Sequence, residues 1–237
     1  MAFQTLTEIA SRAADELSVA RQSAYFGSVT PDGRLFLACA NSAGRDLMRA
    51  HEWGALQTLG TVTTASGTSS YSLATDYDRM IVETGWDRTN DWMMVGPDNA
   101  QINRYLNESG VAQTGPRKRF RLQGTSIVIW PTPTATETLV YEYISNKWVR
   151  DSSSTAQTEF TADTDTTIFD PELMKVEIMW RYLARKGMAF EDARGEAMVL
   201  RQQKIAGDLG GTTLSMSPEL ASQFIELENL PDSSWSL

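Results

Sequence analysis

At residues Thr58–Leu73 the sequence reads TLGTVTTASGTSSYSL, and here its patterning changes from helix to strand. Threonine, serine and glycine at this density are typical of strands and turns. Short β-branched and aromatic runs follow, namely RMIVETGW, DWMMVG, KRFRL, TSIVIW and TLVYEYI. The turn signals between them recur at intervals typical of an antiparallel sandwich or barrel. Residues 58–169 are therefore predicted to form a β-rich domain.

Within this middle segment, period-two alternation is clearest in Thr138–Ile144, which predicts a strand with its leucine and both tyrosines on one face. Proline supplies no ladder donor, so Pro131 and Pro133 end the preceding strand, Ile127–Trp130. Apolar residues at helical spacing within Pro97–Asn107 predict one short helix among the strands.

Upstream of the change, the sequence predicts two helices. Thr5 and Glu8 form a capping-box pattern, and apolar residues recur at helical spacing from Leu6 to Ala20. This spacing predicts a first helix of about four turns.

The second predicted helix begins at Pro31, a favourable first-turn residue behind the cap Thr30, and ends near Leu56. Gly44 lies inside it. Glycine costs about 1 kcal/mol relative to alanine in a helix interior, so this residue weakens the predicted helix.

Downstream of the β-rich segment, Asp170 and Pro171 are an N-cap and first-turn pair for an apolar stripe that extends to Ile205. Gly187 interrupts the stripe. We favour two helices joined at Gly187, and the alternative is one long kinked helix.

These patterns predict an α+β fold, in which a helical bundle formed by the N- and C-terminal segments carries an inserted antiparallel β-sandwich or barrel-like domain. The expected boundaries are residues 1–57 and 170–211 for the discontinuous helical domain and 58–169 for the insertion. Residues 212–237 are expected to form an extended C-terminal tail with isolated apolar anchors: Leu220, Phe224, Ile225, Leu227 and Trp235. Such anchors predict ordering against a partner, and the alternative is a tail packed on its own domain.

Composition excludes several classes of protein. The chain has 237 residues, of which 41% are hydrophobic and 22% charged, as in ordinary globular proteins. The sequence lacks both an apolar run of membrane-spanning length and a secretory signal pattern. A net charge of −9 argues against a protein that grips duplex DNA, because phosphate affinity comes from lysine and arginine. Cys39 is the single cysteine, which fits a reducing cytoplasm.

The sequence offers no arrangement suited to catalysis. Cys39 and His51, the only histidine, are twelve residues apart on one predicted helix, about 18 Å along its axis, and so cannot act as a nucleophile and base pair. The pairs Asp76/Asp78 and Asp163/Asp165 have the one-residue spacing of calcium loops, but the glycine and distal glutamate are missing. We therefore predict no catalytic, cofactor or metal site, and a hydrolase would need a hidden carboxylate pair.

One basic run stands out: Arg117, Lys118, Arg119 and Arg121. Strand alternation places the three arginines on one face and Lys118 with Phe120 on the other. Three interpretations stay open at this point: a solvated edge-strand face, a contact with an acidic neighbouring subunit, and a contact with DNA.

Aromatic residues suggest a competing function. Most of the seven tryptophans, including Trp53, Trp86, Trp130, Trp148 and Trp180, fall where a core would need them. Exposed aromatics such as Tyr71, Trp86 and Trp92 could instead form a platform on the β domain. The chain would then be a carbohydrate- or protein-binding module.

A family resemblance covers residues 5–207. The stretches LFLACANSAGRDLMRAHEWGAL, DRMIVETGW, RKRFRLQGTSIVIWPTPTATETLVYEYISNKWV and WRYLARKGMAFEDARGEA together resemble bacteriophage head-to-tail adaptor (connector) proteins. The most similar group that we identify is the tail tubular protein A and phage adaptor group. The resemblance implies a helical bundle with an inserted β domain and no enzymatic activity.

The same resemblance implies the partners. We expect a homo-oligomer, a twelve-subunit ring beneath the portal protein, that also contacts a downstream tail or nozzle protein. Duplex DNA would pass through its lumen without specific binding. The protein would be made in the host cytoplasm and would lie in the virion at the head-to-tail junction. The candidate subunit or portal contacts are the basic run and the five apolar tail anchors.

Overall fold

The computed structural model describes residues 3–108 and 117–208, and within these ranges the chain folds as helices and antiparallel sheets. The helices are α1 (Leu6–Glu16), α2 (Pro31–Ala50), α3 (Ala100–Glu108), α4 (Pro171–Lys186) and α5 (Glu191–Asp208), with a 3₁₀ turn at Gly54–Leu56. The strands are β1 (Gln57–Thr63), β2 (Ser70–Ser72), β3 (Tyr77–Met80), β4 (Trp86–Asp87), β5 (Trp92–Met93), β6 (Arg119–Gln123), β7 (Ser126–Trp130), β8 (Thr138–Ser145), β9 (Val149–Arg150), β10 (Ala156–Gln157) and β11 (Thr166–Thr167). The predicted α+β class is confirmed.

Helix α1 begins as its sequence predicts and ends earlier. The Thr5 hydroxyl accepts a hydrogen bond from the Glu8 amide at 3.3 Å, and the Glu8 carboxylate accepts one from the Thr5 amide at 2.9 Å. The prediction of about four turns, as far as Ala20, is wrong. Leu17 caps the helix, and Ser18 adopts a left-handed φ of 55°, which no helix can include.

Helix α2 starts at Pro31 as predicted but stops at Ala50, so the predicted end near Leu56 is also wrong. His51 is extended, and the indole N–H of Trp53 folds back to donate to the Leu47 carbonyl at 2.7 Å. This bond satisfies one of the carbonyls that every helix end leaves without an intrahelical partner.

The C-terminal segment forms two helices, as predicted. The Asp170 carboxylate accepts hydrogen bonds from the Glu172 and Leu173 amides, both at 3.1 Å, and starts α4. Gly187 has a left-handed φ of 70° and ends it. Glycine adopts this conformation without the steric cost of a Cβ, which explains the break. The short helix predicted within Pro97–Asn107 is present as α3.

Strand β8 organises the largest sheet. It pairs with β1 from Gln57↔Ile144 to Thr63↔Thr138, and its other edge pairs with β3 and β4. β5 extends this sheet beyond β4, while β2, β7 and β6 form a second sheet and β10, β9 and β11 a third. Every ladder among the described strands is antiparallel.

Two hydrophobic cores result. The first core lies among α1, α2 and α4 and also contains side chains from the strand-rich segment: Ile144, Trp148, Val149, Phe160 and Phe169. The second core lies between the first two sheets and includes Leu139, Tyr141 and Tyr143. β8 therefore contributes to both cores, as the alternation in Thr138–Ile144 requires. The domain boundaries at 57/58 and 169/170 stay a prediction.

The predicted packing tryptophans differ in burial. Trp53 and Trp148 are buried, whereas Trp86, Trp130 and Trp180 are only partly covered. The Trp148 ring lies directly against Gly44 of α2, where a Cβ would come within 2.1 Å of ring atoms. None of the helices within residues 3–108 and 117–208 has the length and apolar character that a membrane span requires.

Candidate assembly surfaces

A buried group of charges joins α2, α4 and α5. Glu177 on α4 is fully buried, and its carboxylate accepts hydrogen bonds from the Trp180 indole at 2.7 Å, from Arg181 and from Arg201 on α5. Arg181 also donates to Asp46 on α2 at 2.8 Å. Burial alone would raise the pKa of Glu177, but the hydrogen bonds and charges of its arginine partners outweigh burial and lower it. The group is a paired, charged cluster, which we call the Glu177 cluster.

A second ionic contact joins α4 to α1. The Lys175 ammonium lies 2.5 Å from the Glu16 carboxylate and also pairs with Glu172. Arg12 of α1 pairs with the same Glu172 at 2.6 Å. Burial tends to lower the pKa of Lys175, but the two carboxylates raise it above its ordinary value, so the lysine is charged at neutral pH.

Helix α5 is the least buried of the long helices. Ala197 is its one buried residue, while Met198 and Val199 are 52% and 57% exposed. Polar contacts attach the helix: Arg201 to Glu177, Lys204 to Asp170 at 2.8 Å, and Asp208 to the Gly54 amide at 2.8 Å. The helix thus presents apolar side chains outward and is available to a neighbouring molecule.

A groove of about 440 Å³ lies beside the end of α5. Its lining includes the core residues Trp53, Phe169 and Leu173 and the charged residues Lys204 and Asp208. A lining that is mostly apolar with a few charged groups suits an apolar side chain or a peptide segment. Sequence reasoning did not predict this groove, because its lining comes from three separate parts of the chain.

The predicted basic run lies on and just before β6, the edge strand of the second sheet, with the predicted alternation. Arg119 forms a two-pronged ion pair with Asp98 at 2.6 and 2.8 Å, which raises the pKa of Arg119. Lys118 pairs with Glu137 at 3.0 Å. The Arg117 guanidinium lies over the Trp92 ring, 5.5 Å from its centroid. The structure therefore gives three members of the run partners within the same chain.

Arg121 differs from its neighbours in the run. Its guanidinium makes a long hydrogen bond of 3.4 Å to the Asn103 side chain and, among the described residues, no ion pair. Arg121 and exposed Arg117 are the two members of the run best placed to contact another subunit. A subunit contact by this run stays a prediction.

Cys39, Asp76 and Asp163, which were considered for chemistry, have structural roles. Cys39 is fully buried, and burial raises the pKa of its thiol, so little thiolate forms. Asp76 accepts hydrogen bonds from Tyr143 and Ser145, and Asp163 accepts them from the Tyr25 and Phe26 amides. Across residues 3–108 and 117–208, no three histidine, cysteine or acidic side chains cluster as metal ligands would.

The aromatic platform of the competing hypothesis does not assemble on one face. Trp86 is paired with Met93, and Asp87 with Trp92, so strand alternation points the two indoles to opposite faces of the sheet. Tyr71 lies in the other sheet, and its hydroxyl donates to the Thr68 carbonyl at 2.7 Å. These three aromatics cannot form a single ligand platform.

A family model described as SU10 adaptor protein matches residues 4–218, which is most of the chain. The chain belongs to the SU10 adaptor protein family. The predicted resemblance to phage head-to-tail adaptors is thereby confirmed, and the adaptor has a structural role in the phage particle. Comparison with curated proteins one by one gives no significant match.

Family membership also gives the adaptor its general setting. The family implies association with portal and tail proteins and a place in the virion at the head-to-tail junction. The apolar tail anchors Leu220, Phe224, Ile225, Leu227 and Trp235 lie outside the described residues, so their role as contacts stays a prediction.

Sequence reasoning also missed the Glu177 cluster of the adaptor. A signal was available, because Glu177 and Arg181 are four residues apart within the otherwise apolar stripe of α4. Charges at this spacing on a buried helix face need each other or a further partner.

Proposed function

We propose that the adaptor assembles as a twelve-subunit ring that joins the portal protein to the tail, with duplex DNA passing through its lumen. The observation that carries this proposal is the family match, which extends over residues 4–218 and so includes both the helices and the sheets. A role as a connector uses both parts of the chain, one for each neighbour.

The exposed side of α5 supports an assembly role. Met198 and Val199 project from a helix whose inner side is held by ion pairs, and apolar side chains on such a helix suit a subunit contact. A ring repeats one heterologous contact until it closes, so one such surface and one complementary surface are sufficient.

The charge of the chain supports a conduit. A net charge of −9 disfavours tight binding to phosphates, so DNA could pass an acidic lumen without adhering to it. In this proposal the helical part docks on the portal, and the β-rich part contacts neighbouring subunits and the downstream tail or nozzle protein.

Electron microscopy of negatively stained adaptor, with and without purified portal, tests the proposal directly. We expect rings, or portal particles with added density beneath them. Particles that stay monomeric with portal present, combined with saturable binding of a carbohydrate or peptide, would favour the binding-module alternative.

The C-terminal tail from Thr212 is proposed to contact the portal or an adjacent subunit through its apolar anchors. Deletion of residues 213–237 should reduce assembly onto the portal. Undiminished assembly of the deleted protein would exclude this role for the tail.

The basic run is proposed to contact a neighbouring subunit through exposed Arg117 and half-buried Arg121. The Arg117→Glu/Arg121→Glu variant leaves the Arg119–Asp98 pair intact and should weaken subunit association in a salt-dependent way. An Arg88→Glu/Lys147→Glu variant makes the same charge change elsewhere in the β-rich part. Equal association of both variants and the parent would mean that the run is only solvated.

A further inference from the structure

Strand β1 forms an open edge of the largest sheet. It pairs with β8 on one side, and among the described residues no strand pairs with its other side. The direction of the backbone N–H and C=O groups of β1 follows from the hydrogen bonds that its partner strand β8 makes. Glu142 accepts from the Ile81 amide at 3.0 Å and donates to the Thr84 hydroxyl at 3.0 Å, so both of its backbone groups face away from β1.

The residues opposite must therefore direct their own groups outward. In an antiparallel ladder, directly opposed residues either exchange both hydrogen bonds or exchange none. Leu59 opposes Glu142, so its N–H and C=O point to the open side. Thr138 likewise bonds to Arg88 and Thr89, which leaves its partner Thr63 facing outward. Thr61 lies halfway between Leu59 and Thr63. Backbone groups of every second residue in a strand point to the same side, so those of Thr61 also face outward.

This edge lacks the usual protection. Five of its seven residues are exposed, and Leu59 is 61% exposed. The strand QTLGTVT contains neither a charged residue nor a proline, and its pairing with β8 shows no bulge. Proteins normally protect an exposed edge with one of these devices, because unpaired backbone groups invite another strand.

The described part of the chain ends near the start of β1. The Asp208 carboxylate accepts a hydrogen bond from the Gly54 amide at 2.8 Å, three residues before β1 begins. Residues Leu209, Gly210 and Gly211 come next and can span about 10 Å. They are followed by Thr212–Ser217, TTLSMS, an uncharged and alternating stretch that Pro218 terminates.

We propose that Thr212–Ser217 of the same chain pairs with the open edge of β1 as an added strand, parallel to β1. The chain leaves α5 at the start of β1, which sets the direction. The short link between them makes the local concentration of the segment high. The proposed pairing needs only Thr212–Ser217, so Leu220 and the later anchors stay free for a partner. The pairing is independent of ring formation and goes beyond the proposed function.

Residue-resolved hydrogen exchange of the full-length adaptor tests this pairing. The amides of Leu59, Thr61 and Thr63 should exchange at least about ten times more slowly than in the Ser215→Pro variant, which loses a donor in the middle of the segment. Ser222→Pro, placed beyond Pro218, is the matched control and should keep the protection. The Gly60 amide, which faces β8, reports that each variant is folded.

Four outcomes would overturn the proposal. These are rapid exchange of the three amides in the parent, protection that survives Ser215→Pro, and equal loss of protection in both proline variants. The fourth is protection that appears only as protein concentration rises, which would show that a second copy supplies the strand. Because exchange is read on the dilute adaptor without portal, failure here is distinguishable from failure to form a ring.

Discussion

Helices α4 and α5 follow one another in the chain but are held in different ways. α4 buries eight of its 16 residues, among them Leu173, Met174 and Ile178, and contacts α1, α2 and α5. α5 has 18 residues and buries one of them. α4 is a core element, whereas α5 is attached to the core by ion pairs and a few partly buried apolar side chains.

This difference shows how a connector can combine a fixed body with an adjustable surface. Burial of apolar area contributes more to the free energy of unfolding than surface ion pairs do, and it depends less on salt and pH. α4 therefore defines the bundle. Ion pairs depend on geometry, salt and pH. We therefore expect α5 to separate from the bundle at a lower free energy than that of global unfolding, and native-state hydrogen exchange measures that difference.

The largest effect is expected at the residue that links the two helices. Glu177→Ala leaves Arg181 buried without its main partner and releases Arg201. Breaking a buried pair in this way costs about 3–5 kcal/mol of unfolding free energy, measurable by urea denaturation. The control Glu196→Ala removes an exposed glutamate from α5 and should change the free energy of unfolding by less than about 0.5 kcal/mol. Similar values for the two variants would mean that the cluster is not coupled to folding.

A matched pair of glycines gives the next effect, with opposite signs. Gly44→Ala places a Cβ within 2.1 Å of the buried Trp148 ring and should destabilise the fold by about 1–3 kcal/mol, although alanine favours helix. Gly195→Ala in α5 meets no atom within 4 Å and should stabilise that helix by up to about 1 kcal/mol. Thermal unfolding of both variants checks this contrast, and destabilisation by Gly195→Ala would show that α5 is more tightly covered than its exposure indicates.

Acid should weaken the attachment of α5. The pKa of Glu177 and that of Asp170 are both lowered in the fold, because their arginine and lysine partners outweigh burial. A lowered carboxyl pKa contributes stability that is complete above the ordinary values of 4.5 and 3.8 and is lost as pH falls through the folded values. Hydrogen exchange of α5 should therefore accelerate below about pH 4.5 before that of α4. Simultaneous acceleration would contradict separate attachment.

The smallest effect is expected at Lys204. Its ion pair with Asp170 is partly solvated, with side-chain exposures of 33% and 17%, so Lys204→Ala should cost about 0.2–1 kcal/mol. High salt should reduce the difference between parent and variant. Gln202→Ala, an exposed neighbour on α5, is the control and should be neutral. A loss well above 1 kcal/mol would place this pair among the buried contacts.

The sequence predicted best where a local signal decides the structure. The Thr5 capping box, the Asp170 cap and the break at Gly187 each depend on a few adjacent residues, and all three are present. The predicted ends of α1 and α2 were wrong for two reasons: Ser18 takes a left-handed conformation that the apolar spacing does not reveal, and a tertiary contact caps α2. Trp53 can cap Leu47 only after the chain has turned back on the first core.

The candidate surfaces were less predictable for the same reason. The partner of Arg119 is Asp98, 21 residues away, and the groove beside α5 combines three distant segments. Helix propensity alone makes Gly44 a weak point of its helix. The structure shows that the Trp148 ring occupies the space that a side chain would need there.

The pairing of β1 with β8 has a mechanical consequence. β1 leaves the helical bundle from α2, and β8 returns to it at Ile144, which lies in the first core. Both strands are thus anchored at the same end, and a force that pulls the sheets away from the bundle does not peel one strand from the other. The backbones of the two strands lie side by side between the bundle and the sheets, so both would share a pulling load.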